Sequence, residues 1–342
     1  MDPGSAAAPL SPAGSLDDLA GRAGVTFAHL DEARDLAARR IADASGALAA
    51  ATPDDVSVVM YGSWARGEMT EASDNDWAIL TPDGRTDDED VNALAETCQA
   101  LFNEDGKAPG AQDIFGVPFA WPKLADAIGL EEDDNANLTR RMLTLLESVA
   151  LTGEAVDECR GTILDRYLRR GVKNHRPPRF LLNDVIRYWR TICVDFEGKH
   201  KTSGGDDPKW VMRNAKLRTS RKLLFAGGLL PVLFCRLREL DEIPTFLSEQ
   251  LAARPVDRIA WAFLELGLVS EGARCLSAYD EWISMLQDPA FRAAMAALRA
   301  STRDDSAEFA RVRSAGERLH SGLTALLFES PLGPESTKYL VL

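Results

Sequence analysis

The chain has 342 residues, a formal net charge of −14 and 45% hydrophobic content. The length favours two domains, and the negative charge argues against nucleic acid as the main partner, because phosphate contacts need a basic surface. No apolar run approaches the ~20 residues that span a bilayer and no signal peptide is evident, so we do not expect a membrane protein. Five scattered cysteines without a Cys-x-x-Cys pair indicate reduced thiols, which predicts a cytoplasmic protein without a zinc site.

Helix and strand signals divide the chain into a small mixed domain and a larger helical one. The first 14 residues are rich in Ala, Pro, Gly and Ser, and we expect a disordered N-terminus at 1–14. Residues 25–125 predict an α/β (α+β) domain with a small mixed sheet. Residues 137–328 predict an all-α domain whose helices are separated by glycines, such as Gly227-Gly228. Residues 329–342 are expected to form a C-terminal tail.

In chain order, the first domain begins with a predicted helix from Phe27 to about Ala50, followed by the apolar run Val56 to Met60. This run is long enough for a buried strand. Gly62 then allows a sharp turn because it has no Cβ, and Ser63 can offer its hydroxyl and backbone N–H to phosphate oxygens. The sequence therefore predicts a strand that ends in a phosphate-binding turn.

Two carboxylates open the next apolar run, which continues from Trp77 to Leu80. Because alternate side chains of a strand point to one face, Asp74 and Asp76 share a face and Asn75 points to the other. Two carboxylates on one face repel each other unless a cation lies between them. Mg²⁺, or Mn²⁺ in its place, is the expected cation, since Mg²⁺ binds one or two carboxylates plus phosphate oxygens. The alternative is a β-hairpin with a solvated polar connection.

The segment from Tyr61 to Glu68, followed by Ser73 to Trp77, resembles the Gly-Ser…Asp-x-Asp signature of the DNA-polymerase-β-like nucleotidyltransferase superfamily. The residues of this motif are most similar to those of the minimal nucleotidyltransferases and the aminoglycoside adenylyltransferases. The helical second half is similar to the helical partner domains of the adenylyltransferases, and also to nucleotidyltransferases grouped near the PII-protein uridylyltransferases. The stretch Asn137 to Met142 is typical of a bacterial group of uncharacterised nucleotidyltransferases.

The resemblance implies a third carboxylate on a later strand, which completes the metal cage and deprotonates the acceptor. After a predicted crossover helix between Asp87 and Phe102, the segment Ala111 to Ala120 reads as a strand that carries Asp113 near its start. Asp113 is the candidate for this carboxylate, and a turn aspartate at a strand entry is the alternative. Asp133 and Asp134 are alternative candidates, although a solvated loop is the simpler interpretation of their acidic run. The pair Arg140-Arg141 is expected either to neutralise this run or to bind a phosphate.

Two predicted helices of the second half collect positive charge. On the helix from Pro208 to Gly227, one face is expected to carry Lys209, Arg213, Lys216 and Ser220. On the preceding helix, one face carries Asn183, Arg187 and Arg190. Their proposed use is to clamp triphosphate oxygens opposite the metal, and a solvated amphipathic surface is the alternative. Arg66 is expected either to orient a phosphate or to hold Glu68.

These features predict a Mg²⁺-dependent nucleotidyltransferase that transfers NMP, with ATP as the expected NTP, to a hydroxyl of a small-molecule or protein acceptor. The predicted metal ligands and catalytic residues are Asp74, Asp76 and Asp113, and the predicted nucleotide-binding residues are Gly62, Ser63, Arg66, Arg213, Lys216 and Ser220. An oligonucleotide or cyclic-dinucleotide synthase is a second hypothesis, which would need another nucleotide pocket. A non-catalytic nucleotide-binding interaction module is the third, and the paired carboxylates disfavour it.

Overall fold

The computed structural model describes residues 11–103, 107, 114–169, 171–202, 207 and 209–340. One four-stranded sheet has the strand order β3-β2-β1-β4 and consists of β1 (Ser57–Tyr61), β2 (Trp77–Thr81), β3 (Pro118–Ala120) and β4 (Ser148–Thr152). β1 is antiparallel to β2 and to β4, whereas β2 is parallel to β3. This small mixed sheet and the long helical region that follows confirm the predicted fold class.

Helices make up most of the rest of the described chain. Those that precede β4 are α1 (Ser15–Ala23), α2 (Ala28–Leu48), α3 (Ser63–Arg66), α4 (Glu89–Phe102), α5 (Pro122–Asp126) and α6 (Asn135–Leu146). Those that follow it are α7 (Ala155–Leu168), α8 (Arg179–Thr202), α9 (Trp210–Arg218), α10 (Ser220–Phe234), α11 (Ile243–Ala252), α12 (Pro255–Glu265), α13 (Val269–Gln287), α14 (Pro289–Ala297), α15 (Ala307–Thr324) and α16 (Gly333–Leu340). No helix within the described ranges is both long and apolar enough to cross a bilayer.

The two faces of the sheet belong to two different cores. Alternate residues of a strand point to opposite faces, so Val58 and Met60 of β1 pack in a core with residues of α2 and α4. Val59 and Tyr61 of the same strand join a larger core that continues into the helical half of the chain. The sheet is therefore buried on both sides, and the motif at the end of β1 lies where the helical half packs against it.

The fourth strand corrects the prediction of a helix from Asn137 to Ala150. α6 ends at Leu146, and β4 then pairs with β1 from Ser148 onward. The apolar run around this point is compatible with either structure, because periodicity alone does not separate a buried strand from a buried helix. Arg160 holds the junction, since its Nε donates to the carbonyl oxygen of Thr144 at 3.1 Å and its Nη2 to Ser148 Oγ at 2.8 Å.

The predicted helix from Pro208 to Gly227 is also wrong in its extent. The helix is interrupted at Thr219, between α9 and α10, and Ser220 therefore does not lie on the helix face that carries Lys216. Gly227-Gly228 lies inside α10 and does not end a helix. A Cβ on Gly227 would lie 3.0 Å from the carbonyl oxygen of Pro255, and one on Gly228 would lie 3.0 Å from Leu146. Close packing, and not helix termination, accounts for these glycines.

Both ends of the described chain carry helices that the sequence patterns did not reveal. α1 follows directly on the predicted disordered segment, of which residues 1–10 lie outside the described residues. The expected C-terminal tail contains α16. The predicted strand from Ala111 to Ala120 is represented by β3 at its far end, and residues 111–113 likewise lie outside the described residues.

Candidate active site

The turn after β1 has a backbone that glycine alone adopts readily. Gly62 has φ +66° and ψ −133°, and α3 begins at Ser63 directly after it. A Cβ on Gly62 would lie 3.4 Å from Oδ2 of Asp76. The N–H of Tyr61 donates to the carbonyl oxygen of Asp76 at 2.8 Å. The Gly-Ser turn and Asp76 are thus neighbours at the adjoining ends of two strands, joined by this backbone hydrogen bond.

The loop before β2 turns its middle residue away from its two aspartates. Asn75 Nδ2 donates to the carbonyl oxygen of Phe102 at 2.8 Å, and its Oδ1 accepts from Trp64 Nε1 at 3.2 Å. These contacts direct Asn75 toward α3 and α4. Asp74 is exposed and Asp76 half-buried, and both precede β2, which begins one residue later at Trp77. We call Asp74 and Asp76 the carboxylate pair.

Lys216 of the helical half lies close enough to the carboxylate pair for their charges to interact. Surrounding protein lowers the pKa of the Lys216 ammonium, the charges of Asp74 and Asp76 oppose this effect, and Arg221 and Arg66 add to it. The side chain is nevertheless exposed to solvent. Lys216 is therefore an exposed cation whose charge interacts with both carboxylates of the pair.

The other basic residues predicted for this face have different contacts. Arg213 forms an ion pair with Asp207. Ser220 is buried, and its hydroxyl accepts from Trp282 Nε1 at 2.8 Å within the helical packing. Of the residues predicted for this face, Lys216 therefore interacts electrostatically with the carboxylate pair, whereas Arg213 and Ser220 have partners within the helical half.

Arg66 of the motif makes two buried ion pairs. Its side chain is 9% exposed, its Nε donates to Glu68 Oε2 at 2.7 Å, and its Nη1 donates to Glu147 Oε2. Burial acts to lower the pKa of Arg66, but Glu68 and Glu147 outweigh it and raise that pKa. Arg66 was expected either to orient a phosphate or to hold Glu68, and these contacts agree with the second role.

Glu147 and Arg221 complete this arrangement, and neither was among the predicted site residues. Glu147 Oε1 accepts from Arg221 Nη1 at 3.3 Å and from the Tyr188 hydroxyl at 3.4 Å. We call Glu68, Arg66, Glu147 and Arg221 the ion-pair chain. The sequence did contain a signal for Glu147. It is a lone carboxylate within the apolar run Leu145 to Leu151, and a charge in a buried segment needs a partner.

The rivals for the third carboxylate have structural roles elsewhere. Asp133 is buried, against the expectation of a solvated loop, and accepts two hydrogen bonds from Arg141 at 2.8 and 2.9 Å. Asp134 caps α6 by accepting from the N–H of Asn137 at 2.7 Å. Arg187 of the second predicted basic face joins the same cluster by donating to the carbonyl oxygen of Asp133 at 3.0 Å. Arg141 thus pairs with a carboxylate of the acidic run, which is one of the two roles expected for the pair Arg140-Arg141.

Asp113 lies outside the described residues. Two residues beyond it, Phe115 packs against Tyr61 with ring centroids 5.7 Å apart, and the N–H of Gly116 donates to the carbonyl oxygen of Trp77 at 2.6 Å, one residue beyond Asp76. In the part of the chain that the structure describes, no three His, Cys, Asp or Glu side chains cluster as metal ligands would. The assignment of Asp113 as third carboxylate remains a prediction.

Comparison with known proteins supports the class of this domain. Residues 21–115 match the model of the family described as "Putative nucleotidyltransferase DUF294". The matched segment contains the Gly62 turn and the carboxylate pair, and the match supports a nucleotidyltransferase-like class for this part of the chain. A search of curated proteins returns no match to the chain.

Proposed function

We propose that the protein is a Mg²⁺-dependent nucleotidyltransferase that transfers AMP from ATP to a hydroxyl of a small-molecule or protein acceptor and releases pyrophosphate. The observation that carries this proposal is that the Gly62 turn lies beside Asp76, to which the N–H of Tyr61 is hydrogen-bonded at the carbonyl oxygen. The family match supports nucleotidyl transfer in general. ATP, the metal and the type of acceptor are parts of the proposal itself.

The carboxylate pair suits a divalent cation. Asp74 and Asp76 act together on Lys216, so their negative charges converge on one region, and Gly62 leaves space beside Asp76 that a side chain would fill. Asp74, Asp76 and, as proposed, Asp113 would hold the metal, which supplies charge neutralisation for the phosphates and stabilises the attacking and leaving oxygens.

The protein groups around this region suit the remaining steps of nucleotidyl transfer. The Gly62-Ser63 turn binds phosphate oxygens, and Asp113 accepts the proton of the acceptor hydroxyl. The hydroxyl oxygen then forms a bond to the α-phosphorus while the bond from that phosphorus to the oxygen bridging to the β-phosphate breaks. Lys216 and Arg221 offset the negative charge of the departing pyrophosphate.

Pyrophosphate release tests this proposal. We expect wild-type protein to release pyrophosphate in the presence of Mg²⁺, ATP and its acceptor. Asp74→Asn and Asp76→Asn should each lose at least ~100-fold of this rate, because each removes a metal ligand and leaves the surrounding backbone contacts in place. Wild-type rates in both variants would refute the role of the carboxylate pair.

A further inference from the structure

Glu147 occupies a turn whose backbone is held from both sides. It lies between the end of α6 and the start of β4 and is 2% exposed. Arg258 Nη2 donates to the carbonyl oxygen of Leu146 at 2.9 Å, and Arg160 bonds to Thr144 and Ser148. Two arginines therefore fix the main chain on either side of this one carboxylate. A side chain on such a support has a defined position.

The two carboxylate oxygens of Glu147 serve two different parts of the molecule. Oε2 accepts from Arg66 of α3, directly after the Gly62 turn. Oε1 accepts from Arg221 of α10, in the helical half. Glu147 thus links the phosphate-binding turn to a cation that comes from elsewhere in the chain.

The two arginines differ in what they have left to offer a ligand. Arg66 is buried, and its charge is matched by Glu68 as well as by Glu147. Arg221 is 37% exposed, and Glu147 is its only hydrogen-bond partner among the described residues. A guanidinium carries five N–H donors, so Arg221 can bind an anion without losing Glu147. Its charge also acts on Lys216, as do the charges of the carboxylate pair.

We infer that Glu147 is a positioning residue that holds Arg221, through the ion-pair chain, for the β- and γ-phosphates of a nucleotide bound at the Gly62 turn. This inference rests on the proposed function. A guanidinium that is already oriented loses less side-chain freedom when it binds the ligand, and this preorganisation is what Glu147 provides. Because Glu147 acts through Arg221, its effect on nucleotide binding should vanish when Arg221 is absent.

The test is a double-mutant cycle read out by calorimetric titration with ATP and with AMP, both in Mg²⁺. Arg221→Gln should weaken ATP binding about tenfold or more, the loss of a charged hydrogen bond, and should change AMP binding less than about threefold. Glu147→Gln should show the same preference for ATP. The double variant should bind ATP no more weakly than Arg221→Gln alone, because the two residues act as one unit.

A matched control separates positioning from stability. Asp133→Asn also removes a buried carboxylate that pairs with an arginine, Arg141, and neither residue belongs to the ion-pair chain. It should lower the melting temperature but leave the ratio of ATP to AMP affinity unchanged. Removing one partner of a buried pair is strongly destabilising, so Glu147→Asp serves as a second variant that keeps the charge. It is one methylene shorter and should show a smaller loss that is again specific for ATP.

The outcomes distinguish this inference from the proposed function. Wild-type protein that binds none of the four NTPs with Mg²⁺ would refute both. Protein that binds ATP and loses it in Asp76→Asn, but binds normally in Arg221→Gln and in both Glu147 variants, would refute the inference alone. Additive losses in the cycle, or equal losses for ATP and AMP, would also overturn it.

Discussion

At the scale of single residues, the positively charged side chains near the motif differ in their partners. Lys216 is exposed and its charge interacts with the carboxylate pair, whereas Arg213, three positions earlier on α9, forms an ion pair with Asp207. Arg66 is buried between two glutamates. A count of positive residues on a helix face does not reveal this difference, because the partners of each residue are set by the folded chain and not by the helix itself.

The pair Lys216 and Arg213 gives a matched prediction for nucleotide binding. We expect Lys216→Ala to weaken ATP binding by about 1.5–3 kcal/mol, the value of a hydrogen bond to a charged group. AMP, which lacks the β- and γ-phosphates, should be affected much less. Arg213→Ala should leave both affinities near those of the wild type. Equal effects of the two substitutions, measured by calorimetry, would show that Lys216 has no special role.

At the scale of elements, local sequence signals predicted the motif well and its surroundings poorly. The strand β1, the Gly62 turn and the spacing to β2 depend on neighbouring residues, and all three are present in the structure. β4 was missed because its apolar run follows α6 without a break. The ion-pair chain was missed because its contacts join residues 66, 147 and 221, and no local pattern encodes such distances.

The glycines inside α10 lead to a prediction at this scale. Gly227→Ala should destabilise the protein by about 1–3 kcal/mol, because the new Cβ would meet the backbone oxygen of Pro255 at 3.0 Å. A methyl group on Gly161 in α7 would have no atom within 4 Å outside its own helix turn. Gly161→Ala should therefore stabilise the protein by up to ~1 kcal/mol through helix propensity. Chemical denaturation of both variants measures the two opposite signs.

At the scale of the whole molecule, the sheet carries the motif and the helical half supplies its opposing charge. One face of the sheet packs into the core of the helical half. The charge of Lys216 on α9 interacts with the carboxylate pair, and Arg221 of α10 is joined to the motif through Glu147 and Arg66. Helical patterns separated by glycines predicted a helical second half, but its packing against the motif could be seen only in three dimensions. The site as we propose it needs residues from both parts of the chain.

In the proposed reaction, the nucleotidyl group, which is the α-phosphate with its nucleoside, is transferred to an acceptor hydroxyl. Parallel reactions with α-labelled and γ-labelled ATP test it most directly, with Mg²⁺, wild-type or Asp76→Asn protein, pooled small-molecule and protein acceptors, and mass spectrometry of the products. We predict that the α-label appears on the acceptor with the added mass of AMP, that the γ-label appears in pyrophosphate, and that Asp76→Asn abolishes both. A γ-label on the acceptor, or the same products from wild type and Asp76→Asn, would contradict the account.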